Sequence, residues 1–99
     1  MAKKVLNHSI IVAVKDQVYC DLAGEVAILN LKNGIYYGLD PVGAKIWDLI
    51  QKPKTVNEIK AAILEKYDVE PDRCKADILI LLQELSDNEL IEVKDDNDP

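Results

Sequence analysis

The sequence predicts an α+β domain in which a three-stranded antiparallel sheet is followed by three helices. In the first third of the chain, apolar residues alternate or form short runs rich in β-branched side chains, which is typical of strands. From residue 40 onward, apolar residues recur at helical spacing, and the runs follow capping residues or prolines. Because the strands precede the helices instead of alternating with them, we expect the helices to pack on one face of the sheet.

The 99 residues, 48% of them hydrophobic, are enough for one folded domain with a single modest core. We assign residues 1–93 to this domain and residues 94–99 to a disordered acidic tail. The 18 acidic and 12 basic residues give a net charge of −6, which disfavours nucleic acid and anionic membrane surfaces as partners. The sequence contains neither an apolar run long enough to cross a bilayer nor a secretory signal pattern, so we expect a cytoplasmic protein.

Three segments carry strand signals, namely Ile10 to Val14, Val18 to Cys20, and Glu25 to Leu31. The strongest local signal is Asn33-Gly34, because both residues tolerate the positive φ that a two-residue type I′ turn requires. This dipeptide predicts a hairpin whose second strand is Ile35 to Leu39.

A two-residue turn would also set the pairing across this hairpin. It places Lys32 opposite Ile35, Leu31 opposite Tyr36, Asn30 opposite Tyr37, and Ile28 opposite Leu39. Apolar side chains then lie on both faces of the hairpin, and periodicity alone does not say which face covers the core.

Two capping patterns predict the first two helices. Asp40 can cap a helix that has Pro41 at its first position, where the missing backbone N–H is tolerated, and that runs to about Gln51. Thr55 and Glu58 have the spacing of a capping box, which predicts the start of the second helix.

The third helix is predicted from about Pro71 to about Asp87, and Leu90 to Val93 forms a short closing strand. One face of this helix is apolar, formed by Cys74, Ile78, Leu81, Leu82 and Leu85.

The sequence offers few groups for catalysis. His8 is the one histidine, and an exposed side chain before the first strand is its simplest interpretation. Cys20 and Cys74 are too few and too far apart for a disulfide framework or a zinc site, so we expect reduced thiols. Cys74 lies near the start of a helix, where the dipole can lower a thiol pKa, but it belongs to the apolar stripe. We therefore expect no enzymatic activity, no metal site and no cofactor.

A binding surface is more plausible than a catalytic one. The last strand of the meander, Ile35 to Leu39, has a free edge unless another element covers it, and such an edge can accept an extended peptide. On the third helix, Ile80 lies opposite the apolar stripe and Leu79 lies on one flank. Either other elements bury these residues on two sides of the helix, or one flank faces a partner beside the edge strand.

The segment from Gly34 to Trp47 resembles the tyrosine, leucine, acidic, glycine, tryptophan signature of the PqqD-like family, which is named for a pyrroloquinoline quinone biosynthesis protein. Thr55 to Ile59, Tyr67 to Val69 and Ala76 to Ile78 follow in the order and spacing of that family. The resemblance implies a winged helix-turn-helix-like domain that recognises the leader segments of ribosomally synthesised and post-translationally modified peptides (RiPPs).

In this family the leader joins the sheet as an added strand and packs against the third helix, and an enzyme on a separate chain processes it. The Tyr-Tyr-Gly-Leu-Asp segment looks most like the free-standing lasso-peptide proteins, whose partner is a leader-cleaving protease. A PqqD-type chaperone for a radical peptide-modifying enzyme is the alternative. We expect the peptide-binding residues to be Ile35, Tyr36, Tyr37, Gly38, Leu39, Arg73, Cys74, Asp77, Ile80, Leu81 and Glu84, with Leu79 as an alternative anchor.

A DNA-binding winged helix and an adaptor for a globular partner are the other hypotheses. Two capped helices followed by a wing-like strand fit the DNA-binding arrangement. The charge of the third helix argues against DNA binding, because acidic residues outnumber its two cations, Arg73 and Lys75. A precursor-peptide gene beside a protease or radical-enzyme gene would favour leader recognition over the adaptor.

Overall fold

Two three-stranded antiparallel sheets and three helices make up the computed structural model, which describes residues 4–6, 8–14, 17–23 and 25–94. The elements in chain order are β1 (Ile10–Ala13), β2 (Gln17–Leu22), β3 (Glu25–Asn30), β4 (Tyr36–Leu39), α1 (Pro41–Leu49), β5 (Lys54–Thr55), α2 (Val56–Lys66), α3 (Pro71–Asp87) and β6 (Ile91–Lys94). The predicted α+β class with a three-stranded meander and three helices is confirmed. Of the predicted tail, Lys94 belongs to β6, and residues 95–99 lie outside the described part of the chain.

The meander is formed by β2, β3 and β4, whereas β1 belongs to the other sheet. There β1 lies between β5 and β6 and pairs antiparallel with both. Both partners of β1 lie much later in the sequence: β5 follows α1, and β6 follows α3. Local periodicity therefore identified β1 as a strand but carried no information about its pairing.

The predicted register of the β3–β4 hairpin is wrong by two residues. Tyr37 lies opposite Ile28 instead of Asn30, and Leu39 lies opposite Val26 instead of Ile28. A shift of two positions keeps every side chain on its face of the sheet, because the side-chain period of a strand is two. The structure also assigns the faces, since Ile28 and Leu39 are buried in the core.

The shift arises because residues 31–34 form a longer loop than the predicted two-residue turn. Gly34 has a φ of +71°, and its N–H donates to the Asn30 carbonyl at 2.8 Å. The side-chain oxygen of Asn30 accepts from the Lys32 N–H, and that of Asn33 accepts from the Ile35 N–H, both at 2.9 Å. Asparagine side chains thus supply turn bonds that the dipeptide rule does not include.

Both predicted helix caps are confirmed. The Asp40 carboxylate accepts from the Gly43 N–H at 2.8 Å, and Thr55 and Glu58 form a reciprocal capping box with bonds of 3.1 and 3.0 Å. Each cap satisfies backbone donors that the first helical turn leaves without a partner, so these helices begin where the sequence predicts.

The core lies between the helices and the inner faces of both sheets. Its largest members with almost no solvent exposure are Ile11, Ile28, Ile46, Trp47, Ile50, Ile59, Leu82, Leu85 and Leu90. The Trp47 ring meets the Tyr19 ring edge to face at a centroid distance of 5.9 Å, which ties α1 to β2. Within the described residues, no helix has the length and apolarity needed to span a membrane.

Candidate functional site: a cleft beside the edge strand

An open cleft of about 690 Å³ lies between β4 and α3, and we call it the β4–α3 cleft. Its lining residues are Tyr37, Gly38, Leu39, Asp40, Val42, Gly43, Ile46, Ile63, Tyr67, Asp68, Val69, Glu70, Arg73, Cys74, Asp77, Ile78 and Leu81. The floor is apolar because it is the surface of the core, and the rim is charged. This volume is within the usual range for ligand sites in proteins.

The edge of β4 that borders this cleft is open. The Asn30 N–H donates to the Ile35 carbonyl at 3.0 Å, so these two residues have the orientation of a hydrogen-bonded pair just beyond the end of the β3–β4 ladder. Such pairs alternate with non-bonded pairs, so the backbone groups of Tyr37 point toward β3 and those of Tyr36 and Gly38 point away from it. Among the described residues, no strand pairs with that side of β4. An extended peptide can bond there.

A side-chain hydrogen bond joins the two walls of the cleft near its end. The Tyr37 hydroxyl on β4 donates to the Glu84 carboxylate on α3. Burial, together with the hydrogen bond to Glu84 and its negative charge, raises the pKa of Tyr37 to about 12. The phenol therefore stays protonated at neutral pH and remains a donor to Glu84.

The Cys74 thiol lies at the floor of the cleft and is 5% exposed. Burial raises the pKa of this thiol, and the nearby charge of Lys60 only partly opposes the shift. A thiol is a weak nucleophile compared with a thiolate, so this environment suits packing better than catalysis. In the described part of the chain, no group of three or more His, Cys, Asp or Glu residues is placed to hold a metal ion.

The cleft brings together most of the predicted peptide-binding residues, namely Tyr37, Gly38, Leu39, Arg73, Cys74, Asp77 and Leu81. Glu84 reaches it through its bond to Tyr37. Ile35, Tyr36 and Ile80 do not line it, and their side chains are 59%, 69% and 59% exposed. Leu79 is half-buried and packs against the core. The cleft therefore lies along the flank of α3 that carries Arg73 and Asp77, which the helical wheel had left open.

Sequence reasoning missed the lining residues that come from α1, α2 and the segment between α2 and α3. The available signal in the sequence was an apolar residue beside each of two predicted helix starts, Val42 and Val69, and the structure leaves these side chains 37% and 43% exposed. Asp40 was recognised only as a cap, although α1 follows β4 without a loop and its first turn must lie beside the edge strand. Asp68 and Glu70 gave no local signal at all.

Comparisons with known proteins match this chain to a protein family and to solved structures. The family profile of coenzyme PQQ synthesis protein D (PqqD) matches residues 25–91. TbiB1, solved in complex with the TbiA(beta) leader peptide, is 34% identical; the match covers 82% of this chain and 94% of that one, with a TM-score of 0.76. No curated protein matches the sequence.

A second solved structure shares the fold at lower identity. It is the PqqD truncation of Methylobacterium extorquens PqqCD, described as a functional and stand-alone RiPP recognition element. That chain is 20% identical, and the match covers 84% of this chain and 88% of that one with a TM-score of 0.69. At this identity the likeness concerns the fold alone.

Proposed function

Because the chain belongs to the PqqD family, we propose that it binds the leader segment of a ribosomally synthesised precursor peptide and is not itself an enzyme. The observation that carries the proposal is the open backbone edge of β4 beside the apolar floor of the β4–α3 cleft. TbiB1, which shares 34% of its residues with this chain, was solved with a leader peptide bound, and this supports the same kind of ligand here.

Binding uses two kinds of contact. The leader adds as a strand beside β4, and its backbone bonds to the outward-pointing groups of Tyr36 and Gly38. Each backbone bond contributes roughly 0.5–1.5 kcal/mol and carries little sequence preference. Apolar leader side chains pack on the cleft floor near Leu39, Cys74 and Leu81, and they contribute about 25 cal/mol per Å² of apolar surface that they bury.

The domain acts by delivery. A leader held here keeps the rest of the precursor close to an enzyme on a separate chain, so that their encounter becomes nearly intramolecular and the effective Michaelis constant falls. A leader-cleaving protease of a lasso-peptide pathway is the favoured partner enzyme, because the Tyr-Tyr-Gly-Leu-Asp segment resembles the free-standing lasso-peptide proteins. A radical peptide-modifying enzyme is the second candidate, favoured by the match to the PqqD profile.

The test is a titration of isotopically labelled protein with the precursor peptides encoded beside its gene, followed by chemical-shift mapping. We expect the largest shifts in β4 and along α3, and no change in peptide mass after long incubation with the protein alone. Shifts confined to the β5–β1–β6 sheet would contradict the site, and cleavage by the purified protein would contradict the non-catalytic role.

A further inference from the structure

The rim of the β4–α3 cleft is strongly acidic. Asp40, Asp68, Glu70 and Asp77 line it, and in the described part of the chain the one cation among the lining residues is Arg73. Arg73 is already close to Asp77, with 4.0 Å between Nε and Oδ2. The remaining three carboxylates come from the end of β4 and from the segment before α3, so distant parts of the chain place them around one opening.

Lys60 and Lys66 lie near the cleft but outside its lining. The Lys66 ammonium sits over the Tyr67 ring, 5.7 Å from its centroid. The charge of Lys60 acts on Cys74 from α2. Neither side chain is among the residues that line the cleft, so a peptide lying in it meets carboxylates along most of the rim.

Opposite charges attract more strongly beside a low-polarity floor than in open water, and a cleft lined by one sign of charge concentrates ligands of the other sign. An acidic side chain on the peptide would meet repulsion at the same place. The rim therefore discriminates between peptides that fit the apolar floor equally well.

We infer that the cleft selects an extended peptide in which a Lys or Arg lies next to the apolar residue that occupies the floor. Asp68 and Glu70 are the residues that determine this preference, and Asp40 contributes from the opposite wall. The inference rests on the proposed function, since it specifies the chemistry of the leader that the same cleft binds. A peptide with Asp or Glu at that position is disfavoured.

The first part of the experiment is a selection of random ten-residue peptides, displayed in vitro, on the immobilised full-length protein. We expect recovered peptides to combine a bulky apolar residue with a neighbouring Lys or Arg. One recovered peptide is then synthesised with Lys, Gln or Glu at the basic position, and its affinity is measured by fluorescence anisotropy. The Gln form should bind about threefold to tenfold more weakly than the Lys form, and the difference should shrink in high salt.

The second part uses the double variant Asp68→Asn with Glu70→Gln. It should lose the preference for Lys, so that the Lys and Gln forms bind it with similar affinity. The matched control, Asp48→Asn with Glu65→Gln, removes two exposed carboxylates from α1 and α2 outside the cleft and should keep the preference.

The outcomes separate the two proposals. If selection recovers no peptide, leader binding and the charge preference are both contradicted. If apolar peptides are recovered without basic residues, or if the preference for Lys persists in the double variant, the charge inference alone is overturned. An equal loss of preference in the control variant would also overturn it, because net charge would then be the cause.

Discussion

The Tyr37 hydroxyl on β4 donates a hydrogen bond to the Glu84 carboxylate on α3, and this contact spans the walls of the β4–α3 cleft. Tyr37 faces α3 because it shares the inner face of the sheet with Leu39, while Tyr36 points the other way and is exposed. The contact defines one end of the cleft. It involves side chains only, so the backbone groups of Tyr36 and Gly38, which point away from β3, stay open to an added strand.

The raised pKa of Tyr37 predicts a loss of stability at high pH. The folded-state pKa of about 12 lies above the ordinary value of 10.0, so the folded protein holds this proton more tightly than the unfolded chain. The stabilisation of the folded state by the protonated Tyr37 is present below pH 10.0 and is lost as the pH rises from there to about 12. The free energy of unfolding, measured by denaturant titration, should decline more steeply with pH in the wild type than in Tyr37→Phe over this range.

Spectrophotometric titration checks the same assignment directly. The phenolate absorbance of the wild type should include a late component that Tyr37→Phe removes. Glu84→Gln should move this component to lower pH without abolishing the shift, because burial is its largest cause. If the component that Tyr37→Phe removes titrates near the ordinary value of 10.0, the contact is contradicted.

Proline substitution at Gly38 tests strand addition. Gly38→Pro removes a backbone N–H that points to the free edge, so leader affinity should fall by about twofold to tenfold while the β3–β4 ladder stays intact. Gly38→Ala keeps the N–H, and its Cβ meets nothing within 4 Å, so it should bind as the wild type does. Tyr37→Pro should instead lower the thermal midpoint, since that N–H points toward β3. Wild-type affinity of a folded Gly38→Pro protein would exclude bonding at this position.

A pair of aspartate substitutions on α3 tests which flank binds the peptide. Leu81 lines the cleft whereas its neighbour Ile80 does not, so Leu81→Asp should weaken leader binding about tenfold or more and Ile80→Asp should leave it nearly unchanged. Leu81→Ala provides a milder variant, because Leu81 also packs against the core. Circular dichroism confirms folding. A larger effect from Ile80→Asp would place the peptide on the other side of the helix.

The capping box at the start of α2 makes a prediction about stability alone. Thr55→Ala removes the hydroxyl that accepts from the Glu58 N–H, so the free energy of unfolding should fall by about 1 kcal/mol and the midpoint by roughly 4–8 °C. Fluorescence of Trp47, which is 2% exposed, reports the transition. Thr55→Ser retains the hydroxyl, and its free energy of unfolding should fall much less. Leader affinity measured well below the midpoint should be the same in all three proteins.

In the other half of this box the Glu58 carboxylate accepts from the Thr55 N–H, and hydrogen bonds from the Thr55 backbone and side chain lower the pKa of Glu58. A lowered folded-state pKa means that this stabilisation is present above the ordinary carboxyl value and is lost as the pH falls. The stability difference between wild type and Glu58→Ala, which removes this carboxylate, should therefore narrow in acid. A constant difference would show that the Glu58 half of the box contributes nothing.

Much of the binding edge could be predicted from sequence because it depends on neighbouring residues. The glycine and asparagine turn signals located the hairpin, and the sequence order made its second strand the last of the meander. The register was not accessible in the same way. It depends on side-chain bonds from Asn30 and Asn33 inside the loop, which compete with the simpler two-residue turn.

The sequence by itself determined the types of all elements except β5, the helix starts at Asp40 and Thr55, and the apolar face of α3, because caps and periodicities act within one or two turns of chain. Only the tertiary structure decided that β1 pairs with β6, that the Arg73 flank of α3 faces β4, and that Asp68 and Glu70 join the rim of the cleft. These relations depend on how segments far apart in sequence pack over a shared core, where buried area and backbone pairing outweigh local preference.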